Sequence, residues 1–310
     1  MLIRSTDAGA PNLSGTTGAL YSVLKWALPQ LGWTLEFDDT VNSRAAFRND
    51  PINGTGDYLR IADNPADHDG ANAKTANVRS YSAMSDVDTG EDEVGAANWL
   101  ICKSSTANSD ERSWAIIGDS TYFMLLISAE NNGFYQEYYL GDIASDKPGD
   151  AGAFMTQGTT MIDPSTNSDV VPHRSYGSTM LSSSRSSLRF NVAGGTVGAP
   201  AIYTEENASG STTAISAAPG ESGAYPEPAS GGVRVVDVVV QETNGIIRGR
   251  LKGALRIMNN VIGQFASFQV IENQATTRGL KDCVVVNRRP RINNTTLQGV
   301  LLFDTDHGAW

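Results

Sequence analysis

SWAIIGDSTYFMLLIS, residues 113–128, decides the fold. Trp114–Ile117 and Tyr122–Ile127 read as two strands, with Gly118, Asp119, Ser120 and Thr121 supplying the turn between them. The second arm is apolar on both faces, so it belongs at the centre of a sheet rather than at a wet edge. Outward from this hairpin the same grammar repeats. Upstream, GWTLEF (32–37) alternates Trp33, Leu35 and Phe37 with polar neighbours. RAAFRND (44–50), DYLRIAD (57–63) and ANVRSYSAM (76–84) follow, separated by Asn, Asp, Gly and Pro. Downstream, GFYQEYYLGDI (133–143) adds a strand. Short strands at intervals of roughly 8–12 residues predict an antiparallel sandwich or a barrel-like sheet.

One segment reads differently. In LSGTTGALYSVLKWALPQLGW (13–33), Leu20, Val23, Leu24, Ala27 and Leu28 form a helical apolar stripe. Ser14 and Thr16 are the candidate N-caps, and Pro29 ends or kinks the helix. The expected fold is therefore mainly β, with one N-terminal helix making that part α+β.

DKPGDAG (146–152) interrupts the strand pattern, and a domain boundary is expected between it and IDPSTNSDVVPH (162–173). This predicts an N-terminal α+β domain over 1–157 and a C-terminal β domain over 158–310. The second region contains SLRFNVAG, APAIYTEE, GVRVVDVVVQE, GIIRGRLKGALRIMNN, FASFQVIENQ, CVVVNRR and GVLLFDTD, with Thr243–Asn244–Gly245 as a hairpin turn. Residues 204–232, rich in Gly, Pro, Ser and Ala, lack periodicity and read as an extended loop or arm suited to gripping a neighbouring subunit.

A chain of 310 residues, 40% of them hydrophobic, can build real cores without a disulfide or metal staple. Charged residues are only 18%, and the net charge is -11 with a pI of about 4.7. That field repels phosphates and anionic lipid, which argues against nucleic-acid and membrane partners. NRRPR (287–291) is too short a basic run to reverse it. Cys102 and Cys283, both in strand-like sequence, read as free, buried, small apolar residues of a protein that folds in a reducing cytosol. No signal peptide and no membrane-spanning apolar run is expected.

The candidate chemical groups assemble into no motif. GESGA (220–224) resembles a nucleophile elbow around Ser222, but the strand before it and the helix after it are missing. SDVDTGEDE (85–93) starts like a calcium loop with Asp86, Asp88 and Gly90. Glu91 stands where such a loop needs its glycine, and Ala97 where it needs its bidentate Glu. The stretch is expected to be a solvated acidic turn. His68, His173 and His307 lack metal-ligand spacing. In LLFDTDHGAW (301–310), Asp304, Asp306 and His307 read as the polar lip of a closing strand, with Trp310 covering an apolar edge or a subunit contact. No catalytic residue, cofactor-binding residue or metal ligand is assigned, no cofactor is expected, and the chain is not read as an enzyme.

Taken in order, DAGAPNLSGTTGALYSVLKWAL, GWTLEFDDTVNSRAAFRN, VRSYSAMSDVDTGEDE, SWAIIGDSTYFMLLIS, GDIASDKPGDAGAF, GIIRGRLKGALRIMNN and FDTDHGAW resemble a family of tailed-bacteriophage virion proteins. Its members are tail-tip or baseplate components of siphophage-type tails. The resemblance spans nearly the whole chain and is thinnest over 204–232. It implies a structural subunit of the virion tail, assembled in the host cytoplasm as a symmetric homo-oligomer. The implied partners are tail-tube, tape-measure-end, hub or fibre proteins. Low charge content agrees, since the cores of subunit interfaces are depleted of charge. A capsid-associated or decoration protein is the alternative, and a glycan- or peptidoglycan-degrading virion enzyme a further one; the latter needs convergent carboxylates in a cleft.

Overall fold

The computed structural model describes residues 1–67, 73–93, 100–129, 136–146, 153–157, 186–190, 196–198, 201–204, 232, 235–241, 247–257, 269–276, 279–287 and 300–304. The first part contains β1 (Leu2–Arg4), helix α1 (Ala19–Ala27), β2 (Thr34–Asp39), β3 (Arg44–Arg48), β4 (Tyr58–Ala62), β5 (Thr75–Tyr81), β6 (Ala83–Asp86), β7 (Thr89–Glu91) and β8 (Leu100–Cys102). It continues with β9 (Ser113–Gly118), β10 (Tyr122–Ser128), β11 (Gln136–Ser145) and β12 (Ala153–Gln157). Beyond residue 157 come β13 (Ser186–Phe190), β14 (Thr196–Gly198), β15 (Ala201–Thr204), β16 (Val235–Gln241), β17 (Ile247–Ile257), β18 (Val270–Thr276), β19 (Gly279–Asn287) and β20 (Val300–Asp304).

The protein is mainly β and antiparallel throughout, with one N-terminal helix, as the sequence predicts. A five-stranded sheet runs β2-β3-β4-β5-β8, and a 13-stranded sheet runs β1-β9-β10-β11-β17-β20-β19-β18. The remaining strands of the larger sheet branch from this path. β11 splits it: Gly141–Ile143 pair with β12, which leads to β13 and β14, and Ala144–Ser145 pair with β17, which also carries β16 and β15. Hydrogen bonding thus crosses residue 157 within one sheet. Among the described residues no pairing joins β1 to β18, so the sheet they form is open and not closed into a barrel. A strand that divides its length between two further neighbours branches the sheet there.

β10 explains the architecture. It pairs with β9 on one side and β11 on the other, and all seven of its residues are buried. Phe123, Leu125 and Ile127 face a core shared with α1 and with Ala45, Phe47, Leu59, Ile61 and Val78 of the five-stranded sheet. Tyr122, Met124 and Leu126 face a second core with Tyr139, Ile143, Val240, Leu251 and Val284. Alternation along a strand sends successive side chains to opposite faces, so a strand apolar at every position serves two cores. Trp33 packs edge-on against Phe123 and Phe154, at ring centroid distances of 5.3 and 6.3 Å. Its indole N–H donates to the Asp119 carbonyl at 2.9 Å, tying the start of β2 to the β9–β10 turn.

The helix is shorter than its apolar pattern. Leu20, Val23, Leu24, Ala27 and Leu28 are all fully buried, as expected, and Pro29 opens a 3-10 turn over Leu28–Leu31. Ser14 and Thr16 do not cap it. Their hydroxyls bond each other at 2.8 Å, and the helix starts after Gly18, which sits in the left-handed region at φ 79°. The cap comes instead from another strand's end, as described below. Both cysteines are buried, and neither forms a disulfide.

The turn at 243–245, the arm's interior and the interdomain segment 158–185 lie outside the described residues. The arm's roots are defined: β15 and β16 pair antiparallel, with Thr204 opposite Val238, so the arm leaves and re-enters between hydrogen-bonded neighbours.

At Gly141 the backbone adopts φ 119°, and a Cβ there would lie 2.5 Å from Tyr122 Cα and 2.6 Å from the Thr121 carbonyl oxygen. Gly141→Ala is therefore expected to cost about 2–4 kcal/mol through strain and overpacking, read as a lowered urea midpoint at unchanged slope.

Candidate functional site

Three polar clusters stand out. The first covers the outer face of the five-stranded sheet. Arg60 lies opposite Ala46 on β3 and Arg79 on β5, so Arg44, Arg60 and Arg79 share the face turned from the core. The β6–β7 hairpin docks on this face through its acids. Asp88 accepts from Arg44 Nη1 at 2.5 Å and from Arg60 Nε at 2.8 Å, and Arg60 Nη2 bonds it as well. Glu93 accepts from Arg79 Nη1 at 2.8 Å and from the Tyr81 hydroxyl at 3.1 Å. Arg44 Nε reaches Asp67 at 2.9 Å. The stretch 85–93 is exposed apart from Val87, as a solvated acidic turn should be, and in addition Asp88 and Glu93 hold it to arginines. The sequence shows the acids, but only the register shows which cations they meet. Among the described residues, no group of three or more His, Cys, Asp or Glu side chains is placed to hold a metal ion.

The second cluster is fully buried. β4 runs into Asp63 and β8 into Lys103, and both side chains are wholly screened from solvent. Lys103 Nζ donates to Asp63 Oδ1 and to the Thr16 carbonyl at 2.6 Å. Asp63 Oδ2 accepts the Leu20 and Tyr21 amides at 2.7 and 3.2 Å. These are among the first helix amides, which lack partners inside the helix, so Asp63 supplies the cap that Ser14 and Thr16 do not. Burial pushes the Asp63 carboxyl up to about 6, against the pull of Lys103, and burial also draws Lys103 below its ordinary value.

The third cluster joins the two sheets. Asp142 on β11 is 1% exposed. Its Oδ1 accepts from Asn49 Nδ2 at 2.9 Å and Thr55 Oγ1 at 2.7 Å, and its Oδ2 accepts the Thr55 amide at 2.9 Å. The loop after β3 is thereby fastened to the larger sheet. From β17, Lys252 Nζ donates to Thr121 Oγ1 at 3.0 Å. Burial raises Asp142 to about 6; the Thr55 bonds and the Lys252 charge oppose the rise.

Of the residues weighed from sequence, Asp86 and Asp88 lie in the first cluster; Asp86 accepts the Val87 amide at 2.6 Å. Cys102 lies at the end of β8, its amide donating to the Tyr138 hydroxyl at 2.9 Å. Asp304 ends β20 and pairs in register with Cys283. Ser222, His68, His173, Asp306, His307, Ala97 and residues 288–291 lie outside the described residues. Sequence reading missed Asp63, Lys103 and Asp142. A charged residue directly after a largely apolar strand was the available signal for Asp63 in DYLRIAD and for Lys103 in NWLICKSS. No protein-family model matches the chain, and no curated protein matches it.

Removing Asp88 strips Arg60, itself 5% exposed, of its main partner. Asp88→Ala should cost about 1–3 kcal/mol, a value reduced because Asp88 is itself partly exposed, and should make the β6–β7 amides exchange faster than those of β3–β5.

Asp142 also sets a pH dependence. Its folded-state value of about 6 exceeds the ordinary 3.8, so the folded state binds the proton more tightly than the unfolded chain. Its contribution to stability is greatest below about pH 4 and declines as pH rises through about 6, by up to about 3 kcal/mol. Whatever Asp63 contributes is common to both proteins, so the difference between wild type and Asp142→Asn isolates Asp142. Denaturation midpoints measured from pH 4 to 7 should show the wild type losing stability relative to the variant; parallel profiles would contradict the assignment.

Proposed function

We propose that this chain is a structural subunit of a tailed-bacteriophage virion, working in the tail tip or baseplate through contacts with copies of itself and with neighbouring tail proteins. The ordered sequence resemblance supports a virion role more than it does any one station on the particle. The observation that carries the assembly role is the open 13-stranded sheet. An open sheet presents strand edges whose backbone groups can pair with another chain. Among the described residues, β18 pairs with β19 alone, and its first residue, Val270, is 47% exposed. An apolar side chain on a strand edge favours addition of a neighbour, whereas β2, the edge of the smaller sheet, carries Glu36, Asp38 and Asp39, which discourage it. The three polar clusters support the same reading, because their described bonds fasten a hairpin, a helix and a loop to sheets.

Purified chain should sediment as a discrete symmetric oligomer, and Val270→Lys should weaken the association by about tenfold or more. Antibody labelling of purified particles should place the chain at the tail tip. A chain that stays monomeric at high concentration and is absent from particles would overturn the proposal.

A further inference from the structure

Lys103 and Asp63 are arranged as reactants as well as an ion pair. We propose that they join in the folded protein through an intramolecular isopeptide bond between Lys103 Nζ and Asp63 Cγ. Three features of the geometry support it. The buried amine and carboxyl are held in contact at the ends of β8 and β4, the two strands that flank β5, with Nζ hydrogen-bonded to Oδ1. The second carboxyl oxygen, Oδ2, receives the amides of Leu20 and Tyr21 at 2.7 and 3.2 Å. Those two N–H groups stand where an oxyanion would develop on attack at Cγ, the arrangement that stabilises tetrahedral intermediates. The Thr16 carbonyl, 2.6 Å from Nζ, fixes the amine's direction.

The step balances within the pair. The ammonium passes one proton to Oδ1, leaving a neutral amine beside a neutral acid, the state that burial favours over separated charges. The nitrogen lone pair forms the N–Cγ bond, and the electron pair of the Cγ–Oδ2 double bond moves onto Oδ2. A second proton passes from nitrogen to Oδ1. The Cγ–Oδ1 bond breaks, water leaves, and Oδ2 re-forms the carbonyl. One ammonium and one carboxylate become one amide and one water, with no external acid, base or oxidant. Holding the two groups in place removes the entropic part of the barrier, and the dry surroundings remove the water that would drive hydrolysis. The product would keep the helix cap, since the amide oxygen still accepts from Leu20 and Tyr21. It would tie the end of β4 covalently to the end of β8. The inference is independent of the proposed virion role.

Mass spectrometry of the denatured full-length chain tests it. The wild type should be lighter than its sequence mass by one water, and digestion should yield a branched peptide containing both residues, with no tryptic cleavage after Lys103. Lys103→Met should return to full sequence mass. Asp63→Asn should lose ammonia instead and reach the same product mass as the wild type. Wild-type chain at full sequence mass after folding, or a water loss that persists in Lys103→Met, would overturn the proposal. The wild-type measurement stands even where a variant fails to fold.

Discussion

A strand with no wet face constrains the whole molecule. Tyr122–Ser128 must be covered above, below and along both edges, because apolar and aromatic side chains fill it from Tyr122 to Ile127 and its backbone groups need partners. β9 and β11 satisfy the edges. The helix and the five-stranded sheet cover one face, and side chains from β11, β16, β17 and β19 cover the other. The two hydrophobic cores are therefore two sides of one strand. Elements far apart in sequence are gathered because each supplies cover that β10 lacks.

The polar clusters sit where this cover has to be fastened. A helix laid over a sheet exposes amides at its start, and Asp63 takes two of them. A loop crossing from one sheet to the other needs partners for its backbone and hydroxyls, and Asp142 provides three bonds. The arginine face of β3–β5 needs countercharge, and the acidic hairpin brings it. In each case, a carboxylate's acceptor oxygens are matched to donors from a different segment. That pattern fastens segments of one chain to one another.

Strand identity was legible because period-two alternation and turn residues are local signals. Trp33, Leu35 and Phe37 announce a strand, and Tyr122–Ile127 announces a central one. The helix was legible from its stripe, but its cap was not. Ser14 and Thr16 are good caps by residue type, yet Gly18 in the left-handed region turns the chain so that the first amides face Asp63, 43 residues away in sequence. Asp88 was visible as an acid, while its two arginines lie on other strands and become neighbours only through register. Sheet closure was illegible for a similar reason. How the sheet continues depends on which residues of β11 pair with β12 and which with β17, and no local pattern encodes that division.

Native-state hydrogen exchange across a denaturant series tests most directly whether β10 unites both cores. The amides of Phe123, Leu125 and Ile127 should be among the slowest in the chain. They should exchange only by global unfolding, with the same denaturant dependence as the amides of β4 in one core and β17 in the other. If β4 and β17 instead open at separate free energies, with β10 following only one of them, the two cores are independent and the account is wrong.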